Sequence, residues 1–234
     1  LLSEVSALDE AALDNPQQAL ANVTREAVRM CDTVDFMLVR VLELYREADK
    51  HAIQALADLD DTLDRRHAAI KLYLARISRE NMFEEEARRC QDLLSACVKL
   101  EQVGDIIVRN LLAHVRSKME RKVDFTPEGW HELSSFHAAV LSNARLAFNL
   151  LVTQDPVTAH RLVAEKDRMR EIEKVLSQQH FERLRQGSEQ SVETSSIHLD
   201  TIRDLKQINA LLAAIAYPVL EAEGLLRDTR LRSA

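Results

Sequence analysis

Turn-forming residues are scarce in this chain of 234 residues, which contains only four glycines and four prolines. Together they make up about 3% of the residues, far below the average of roughly 12% for the two residue types. Antiparallel sandwiches, barrels and doubly wound sheets need many more tight turns than these residues supply. The sequence also lacks the Gly-x-Gly-x-x-Gly and Gly-Lys-Ser/Thr runs that hold phosphates in nucleotide-binding folds. We therefore predict an all-α protein built from a few long helices.

A surplus of basic charge is missing as well, because the formal net charge is -7 and the pI is near 5.7. Proteins that bind nucleic acids rely on lysine and arginine to neutralise phosphates, so we expect no nucleic-acid partner. Cys31, Cys90 and Cys97 form no Cys-x-x-Cys pair. Their number and spacing favour a reducing compartment in which the thiols serve as small apolar side chains.

Long apolar runs and a leader sequence are also absent. The longest apolar run, residues 210–220, is about half as long as the ~20 residues of a membrane span. The first residues show no basic segment followed by an apolar one, as a signal peptide would. The chain begins with Leu1 rather than methionine. We therefore treat it as a candidate piece of a longer protein, whose remainder could carry the activity.

The prolines that are present mark helix starts. Asn15-Pro16, Thr126-Pro127 and Asp155-Pro156 each combine a capping residue with proline at the first helical position. Weaker breaks are expected near residues 47–49, at Asn81 and at 186–188. These signals predict six long helices near residues 16–45, 50–77, 82–121, 127–152, 156–185 and 189–227, the last of them kinked at Pro218.

The two halves of the chain repeat one acidic motif at a constant offset of 99 residues. The motif is an acidic residue, then aspartate four positions later, then asparagine after another five. Its two copies are Glu101, Asp105, Asn110 and Asp200, Asp204, Asn209. The recurrence predicts a tandem duplication of a three-helix bundle. We divide the chain into an N-terminal extension (1–15), a first bundle (16–122), a second bundle (123–229) and a C-terminal tail (230–234).

The paired acids of this motif are candidate metal ligands. Acids four residues apart share a helix face, and two like charges there cost the helix about 0.2–0.5 kcal/mol. Carboxylates that border the apolar face of a helix need a bound cation, an ion pair or hydrogen bonds. Oxygen ligands suit magnesium, calcium, manganese and iron. The candidate ligands are Glu101, Asp105, Asp200 and Asp204, and the alternative partners for them are Arg109, Arg203 and Lys206.

The duplicated Glu/Asp-x-x-x-Asp motif in paired three-helix bundles resembles the PhoU domain family over nearly the whole chain. Residues 25–30 resemble the opening helix of such a bundle, and residues 59–64 and 165–167 resemble the acidic starts of its second helices. Residues 204–209, followed by Ala216-Tyr217-Pro218, are most similar to the PhoU-like domain at the C-terminus of bacterial Na+/phosphate cotransporters.

This resemblance implies a non-enzymatic regulatory or accessory domain in phosphate uptake. It implies a cytoplasmic location, at the inner membrane if the domain is part of a cotransporter. The implied partner is a membrane phosphate transporter domain, in the same chain or another, or a phosphate-signalling protein. The resemblance also implies that Glu101, Asp105, Asp200 and Asp204 occupy positions that bind iron or zinc clusters in some members. Two departures are that asparagine follows the second acid by five residues rather than four, and that Asp200 replaces the more usual glutamate.

A carboxylate-bridged metalloenzyme of the helical-bundle type is the alternative. Glu128-x-x-His131 and Asp64-x-x-His67 have the spacing used in di-iron bundles, although Glu128 falls in a first helical turn, where an acid complements the helix dipole. Self-association into a homo-oligomer through an apolar helix face is a further possibility that the sequence does not decide. The remaining histidines are expected at the surface or at its boundary (His51, His114, His137, His160, His180 and His198), and the spaced aromatic residues are expected in the core (Phe36, Phe136, Phe148 and Trp130).

Overall fold

All regular structure in the described part of the chain is helical. The computed structural model describes residues 5–78, 82–187 and 189–224. Its α-helices are α1 (Pro16–Arg46), α2 (Lys50–Arg76), α3 (Glu84–Ile106), α4 (Leu112–Arg121), α5 (Pro127–Thr153), α6 (Pro156–Arg185), α7 (Glu189–Ala213) and α8 (Tyr217–Ala222). A π-helical turn, Ile107–Leu111, joins α3 to α4, and a 3-10 turn, Ala214–Ala216, joins α7 to α8. The described residues therefore form six long rods, as predicted.

The helix starts follow from local capping. The Asn15 side chain accepts a hydrogen bond from the Gln18 backbone N–H at 3.2 Å, and proline follows it at the first helical position. Thr126 and Asp155 cap α5 and α6 in the same way. Pro218 lies at the start of α8, just after the 3-10 turn, where the kink was predicted. Four predicted features lie outside the described residues: the boundary at Asn81, Ser188 in the break before the sixth helix, the end of the sixth helix after residue 224, and the tail at 230–234.

The six rods form two groups of three. Helix α1 packs on α2 and α3, while α7 packs on α5 and α6. The groups meet where α1 contacts α5 and where α3 contacts α7. One hydrophobic cluster runs through both groups, so they share a core. Within the described residues, no helix combines the length and the apolar character that crossing a bilayer requires.

The described part of the N-terminal extension lies against the first bundle. Tyr73 Oη donates to the Asp9 carbonyl at 2.7 Å, and the Ser78 N–H donates to the Leu13 carbonyl at 3.1 Å. The Ala7 N–H donates to Glu26 Oε2 at 2.9 Å. The extension therefore helps to satisfy a carboxylate that is only 2% exposed, as buried charge requires.

Two predictions about burial were partly wrong. Phe136 lies in the core, but Phe36 is 51% exposed because it lies on the face of α1 turned away from the buried residues Met37 and Leu38. Trp130 and Phe148 are half-buried. Three histidines expected near the surface are buried, namely His137, His180 and His198. The interior accepts them because one ring nitrogen of each, Nε2, lies beside a polar group of another helix.

Candidate functional site: the two acidic motifs

The first acidic motif lies on α3. Glu101 Oε2 is 3.3 Å from His67 Nδ1 of α2, so this pair links the two helices. Asp105 Oδ1 is 3.2 Å from Arg109 Nη2, one turn further along the rod. The Arg109 side chain is 75% exposed, so its ion pair with Asp105 stabilises the protein little.

Two further acids of α2 belong to the same site. The pKa of Asp60 is raised to about 6, first by burial and then by the charges of Asp64 and Asp105. Asp60 Oδ1 is buried and has no hydrogen-bond partner among the described residues. We call Asp60, Asp64, Glu101 and Asp105 the α2–α3 acidic cluster.

Gly104 sets the distance between α2 and α3 at this cluster. A Cβ atom at residue 104 would lie 2.5 Å from Leu63 Cδ1 and 2.8 Å from Asp60 Oδ1. Both distances are shorter than real Cβ contacts, so a side chain at residue 104 would require Leu63 and Asp60 to shift. The glycine between the paired acids therefore brings the carboxylate of Asp60 against α3.

The sequence offered a signal for these two acids. Asp60 and Asp64 have the same four-residue spacing as the motif on α3, although residues 59–64 were noted above only for their resemblance to a family pattern. The repeated spacing on a neighbouring helix would have identified them as candidates.

The second acidic motif lies on α7 in different surroundings. Asp204 is 3% exposed, and its two oxygens face the first bundle. Oδ1 accepts a hydrogen bond from Asn110 Nδ2 at 3.2 Å, while Oδ2 lies 2.8 Å from His114 Nε2. Asp200 is partly exposed and pairs with Arg203 at 3.1 Å. The buried acid of this motif thus connects the two bundles.

The π-helical turn accounts for the different partners of the asparagines in the two copies of the motif. A π turn inserts one residue into a helix and shifts the faces of the residues that follow it. Here it spans residues 107–111 and contains Asn110, whose amide reaches Asp204 in the other bundle. Its counterpart Asn209 instead accepts a hydrogen bond from Asn143 Nδ2 at 2.9 Å, within the second bundle.

The geometry fits a metal ion unequally at the two motifs. The described residues contain no group of three or more His, Cys, Asp or Glu side chains placed to hold one metal ion. At the second motif, metal binding would compete with the contacts that Asp204 makes to Asn110 and His114. At the first, the carboxylate oxygens suit iron or another hard cation, and Asp60 Oδ1 has no partner. Metal binding by the four acids stays a prediction, and it fits the first motif better.

Two of the three basic residues considered as alternative partners do form ion pairs with acids of the motifs. Arg109 and Arg203 pair with Asp105 and Asp200, as that alternative predicts. Lys206 pairs instead with Glu173 of α6, at 3.0 Å. These ion pairs lie near the surface, where a single pair contributes about 0–1 kcal/mol.

A buried polar cluster in the second bundle was not predicted. The rings of His180 and His198 stack with centroids 4.8 Å apart and an interplanar angle of 9°. Arg183 donates two hydrogen bonds to Glu132, at 2.5 and 2.8 Å. Although burial opposes it, interaction with His198 and Arg183 lowers the pKa of Glu132 to about 2. Burial lowers the pKa of His180 to about 4, helped by His198 and Arg183.

Comparison with known proteins gives the same picture of a repeated domain. A family model described as the PhoU domain matches residues 27–111 and again residues 133–219. These two matches fall in the first and second groups of helices. The tandem duplication predicted from the repeated acidic motif is therefore confirmed.

Curated relatives match nearly the whole chain. It is 36% identical over 214 residues to the "Putative inorganic phosphate export protein YjbB" of Salmonella typhimurium and, to the same extent, to that of Escherichia coli K12. Each match covers 92% of this chain and 39% of the relative, so the chain spans about two fifths of these proteins' length.

Solved structures share the fold. PhoU from Pseudomonas aeruginosa is 16% identical with a TM-score of 0.78, over 88% of this chain and 97% of that one. The phosphate transport system regulatory protein PhoU from Streptococcus pneumoniae is 17% identical with a TM-score of 0.79, over 92% and 100% of the two chains. At these identities the similarity establishes the architecture.

Proposed function

The chain belongs to the PhoU domain family, and we propose that it is a regulatory domain in phosphate transport whose partner is a membrane phosphate transporter. The observation that carries the proposal is its 36% identity, over 92% of its length, to proteins named for phosphate export. The name of the Streptococcus pneumoniae structure, a phosphate transport system regulatory protein, supports the same role.

The partner is proposed to be a phosphate-transporting membrane domain, in the same chain or another. The chain matches only 39% of the length of its curated relatives, which leaves the larger part of those proteins for another activity. A Na+/phosphate cotransporter is the partner we favour, and the domain would then lie at the cytoplasmic face of the inner membrane. A phosphate-signalling protein is the other candidate partner.

The proposed role is non-enzymatic. Two buried or nearly buried acids of the described chain engage basic partners: Glu132 bonds Arg183, and Asp204 lies against His114. Such pairs position helices rather than present a reactive group to a substrate. A carboxylate-bridged metalloenzyme would need several ligands around one metal, which no group of described residues provides.

Regulation would act through the contact between the bundles. Asn110 and His114 of the first bundle meet Asp204 of the second, so a change in the packing of α3–α4 on α7 reaches both halves. A partner that binds one arrangement of the bundles better than another would shift the population towards it.

The experiment that tests this role replaces the matching region of the Escherichia coli YjbB protein with this chain and measures phosphate flux from cells. We expect the fusion to transport phosphate, and Asp204→Ala in the fusion to change the rate. Asp200→Ala is the matched control, because it removes an ion pair of the same helix whose acid is partly exposed. Equal flux from the fusion, from both variants and from a protein lacking the region would overturn the proposal.

A further inference from the structure

A cavity of about 310 Å³ lies between the two bundles, and none of the residues that line it belongs to either acidic motif. It is bounded by α3 of the first bundle and by the C-terminal end of α5 and helix α8 of the second. Buried apolar residues, Leu93, Leu150 and Ile215, form part of its wall. Its size falls at the small end of the range for ligand pockets, about 300–1,000 Å³.

Arg89 lines this cavity with a guanidinium group that is held in place. Its Nη2 donates to the Leu151 carbonyl at 2.5 Å. In the orientation that satisfies the Gln154 amide, the amide oxygen accepts from Arg89 Nε at 3.0 Å and from Nη1 at 3.1 Å. Arginine has five N–H donors, so two remain after these contacts with the described residues. Burial lowers the pKa of Arg89, and no described carboxylate lies within 4 Å of it.

Lys99 also lines the cavity, between two and three helical turns after Arg89 on α3. Its ammonium group donates to Ser95 Oγ at 2.6 Å, which leaves two of its three donors without a partner among the described residues. Burial lowers the pKa of Lys99 as well, and no described carboxylate comes within 4 Å of its Nζ atom. Two cations thus share one half-buried cavity, and the charge of Asp92 acts on both although it forms an ion pair with neither.

Asp92 is an acidic residue that lines the same cavity as these two cations. It is half-buried in the cavity wall, where burial raises its pKa although Arg89, Arg88 and Lys99 act in the opposite direction. Arg88, Glu85 and Glu223 also border the cavity, but all three are exposed to solvent. The half-buried wall therefore carries two cations and one carboxylate, which leaves a positive surplus.

We propose that this cavity binds a small anion that carries a phosphate group, with inorganic phosphate as the simplest ligand. An anchored guanidinium, an ammonium and a neighbouring hydroxyl are donors that suit phosphate oxygens. A bound anion would offset the cost of holding Arg89 and Lys99 away from water. Because the donors lie on α3 and the apolar wall includes α5, the ligand would bridge the two bundles.

The experiment is calorimetric titration of the full chain with inorganic phosphate, at constant ionic strength and near neutral pH. Lys99→Gln should weaken binding by about tenfold or more, since it removes a charge-assisted hydrogen bond. Asp92→Asn should strengthen binding by about fivefold, because it removes the like charge. Lys71→Gln is the matched control: Lys71 is an exposed lysine of α2 that does not border the cavity, so affinity should not change.

Two results would overturn the inference. One is the absence of binding at concentrations up to about 10 mM, where a millimolar site would be mostly filled. The other is equal weakening by Lys99→Gln and Lys71→Gln, with circular dichroism showing that both variants fold. Binding of glycerol 3-phosphate that is lost in Lys99→Gln would support a phosphate site that accepts an ester. The titration needs no transporter, so its failure would leave the proposed regulatory role standing.

Discussion

The side-chain amide of Asn110 donates a hydrogen bond to the carboxylate of Asp204 across the boundary between the two bundles, with Nδ2 and Oδ1 3.2 Å apart. His114 approaches the second oxygen of the same carboxylate at 2.8 Å. The duplication has therefore not preserved identical roles for equivalent residues, because Asn209 pairs within its own bundle. One acidic motif has become a contact between bundles, while the other remains a partly exposed group of carboxylates.

Removing the Asp204 carboxylate should destabilise the protein. Asp204→Ala leaves Asn110 and His114 without their acceptor, and an unsatisfied buried donor costs about 1–3 kcal/mol. We expect this loss in urea denaturation with a chelator present. Asp200→Ala, which removes an ion pair whose acid is partly exposed, should change stability by no more than about 1 kcal/mol. Equal, small effects of both substitutions would show that Asp204 has no structural role.

Adding a methyl group at Gly104 should also destabilise the protein. Alanine favours a helix over glycine by about 1 kcal/mol, but its Cβ would lie 2.5 Å from Leu63 Cδ1. Overpacking of this kind costs about 1–3 kcal/mol, so Gly104→Ala should lower the thermal midpoint. At Gly129, also in a helix, the nearest atom to an added Cβ would be Thr126 Oγ1 at 3.1 Å. Gly129→Ala should therefore be tolerated better, and a higher midpoint for Gly104→Ala than for Gly129→Ala would contradict the close approach of α2 and α3.

Local signals predicted the helices, whereas the surroundings of the site depended on packing. Asn15, Thr126 and Asp155 identify helix starts because a cap bonds N–H groups only two or three residues away. No local sequence pattern predicts the π turn that redirects the side chain of Asn110. The burial of His180 could not be predicted either, because its partner Ser195 lies on the next helix.

Stability should fall as the pH is lowered from about 6.5 towards 4, through His180. Its pKa is lowered to about 4 in the folded protein from 6.5, so between these values the unfolded chain binds a proton that the folded chain refuses. The loss should reach up to about 3 kcal/mol and should level off below pH 4. His180→Gln should flatten this part of the pH profile measured by urea denaturation. His160→Gln, at an exposed position, is the control, and an equally steep profile for His180→Gln would refute the assignment.

Asp60 should contribute a dependence of opposite sign. Its pKa is raised to about 6 in the folded protein from 3.8, so its contribution to stability is fully present below pH 3.8 and is lost as the pH rises through 6. Asp60→Asn should therefore stabilise the metal-free protein near neutral pH, by about 1–2 kcal/mol after allowance for solvent screening. Asp61→Asn, at an exposed position of the same helix, should change stability less. A loss of stability in Asp60→Asn with chelator present would show that its charge is compensated.

Adding a metal ion should distinguish the roles of the two acidic motifs. If the α2–α3 acidic cluster binds iron or zinc, either ion should raise the thermal midpoint of the metal-free chain, because a ligand that binds only the folded state stabilises it. Asp105→Asn should abolish this rise, since it removes a carboxylate from the cluster. Asp200→Asn should preserve it, because the second motif has its buried carboxylate bound to Asn110 and His114. An unchanged midpoint of the parent chain with either ion would exclude both metals as ligands of this domain. A rise that both substitutions abolish would mean that Asp200 also serves the metal, and that the bundles move to bring the motifs together.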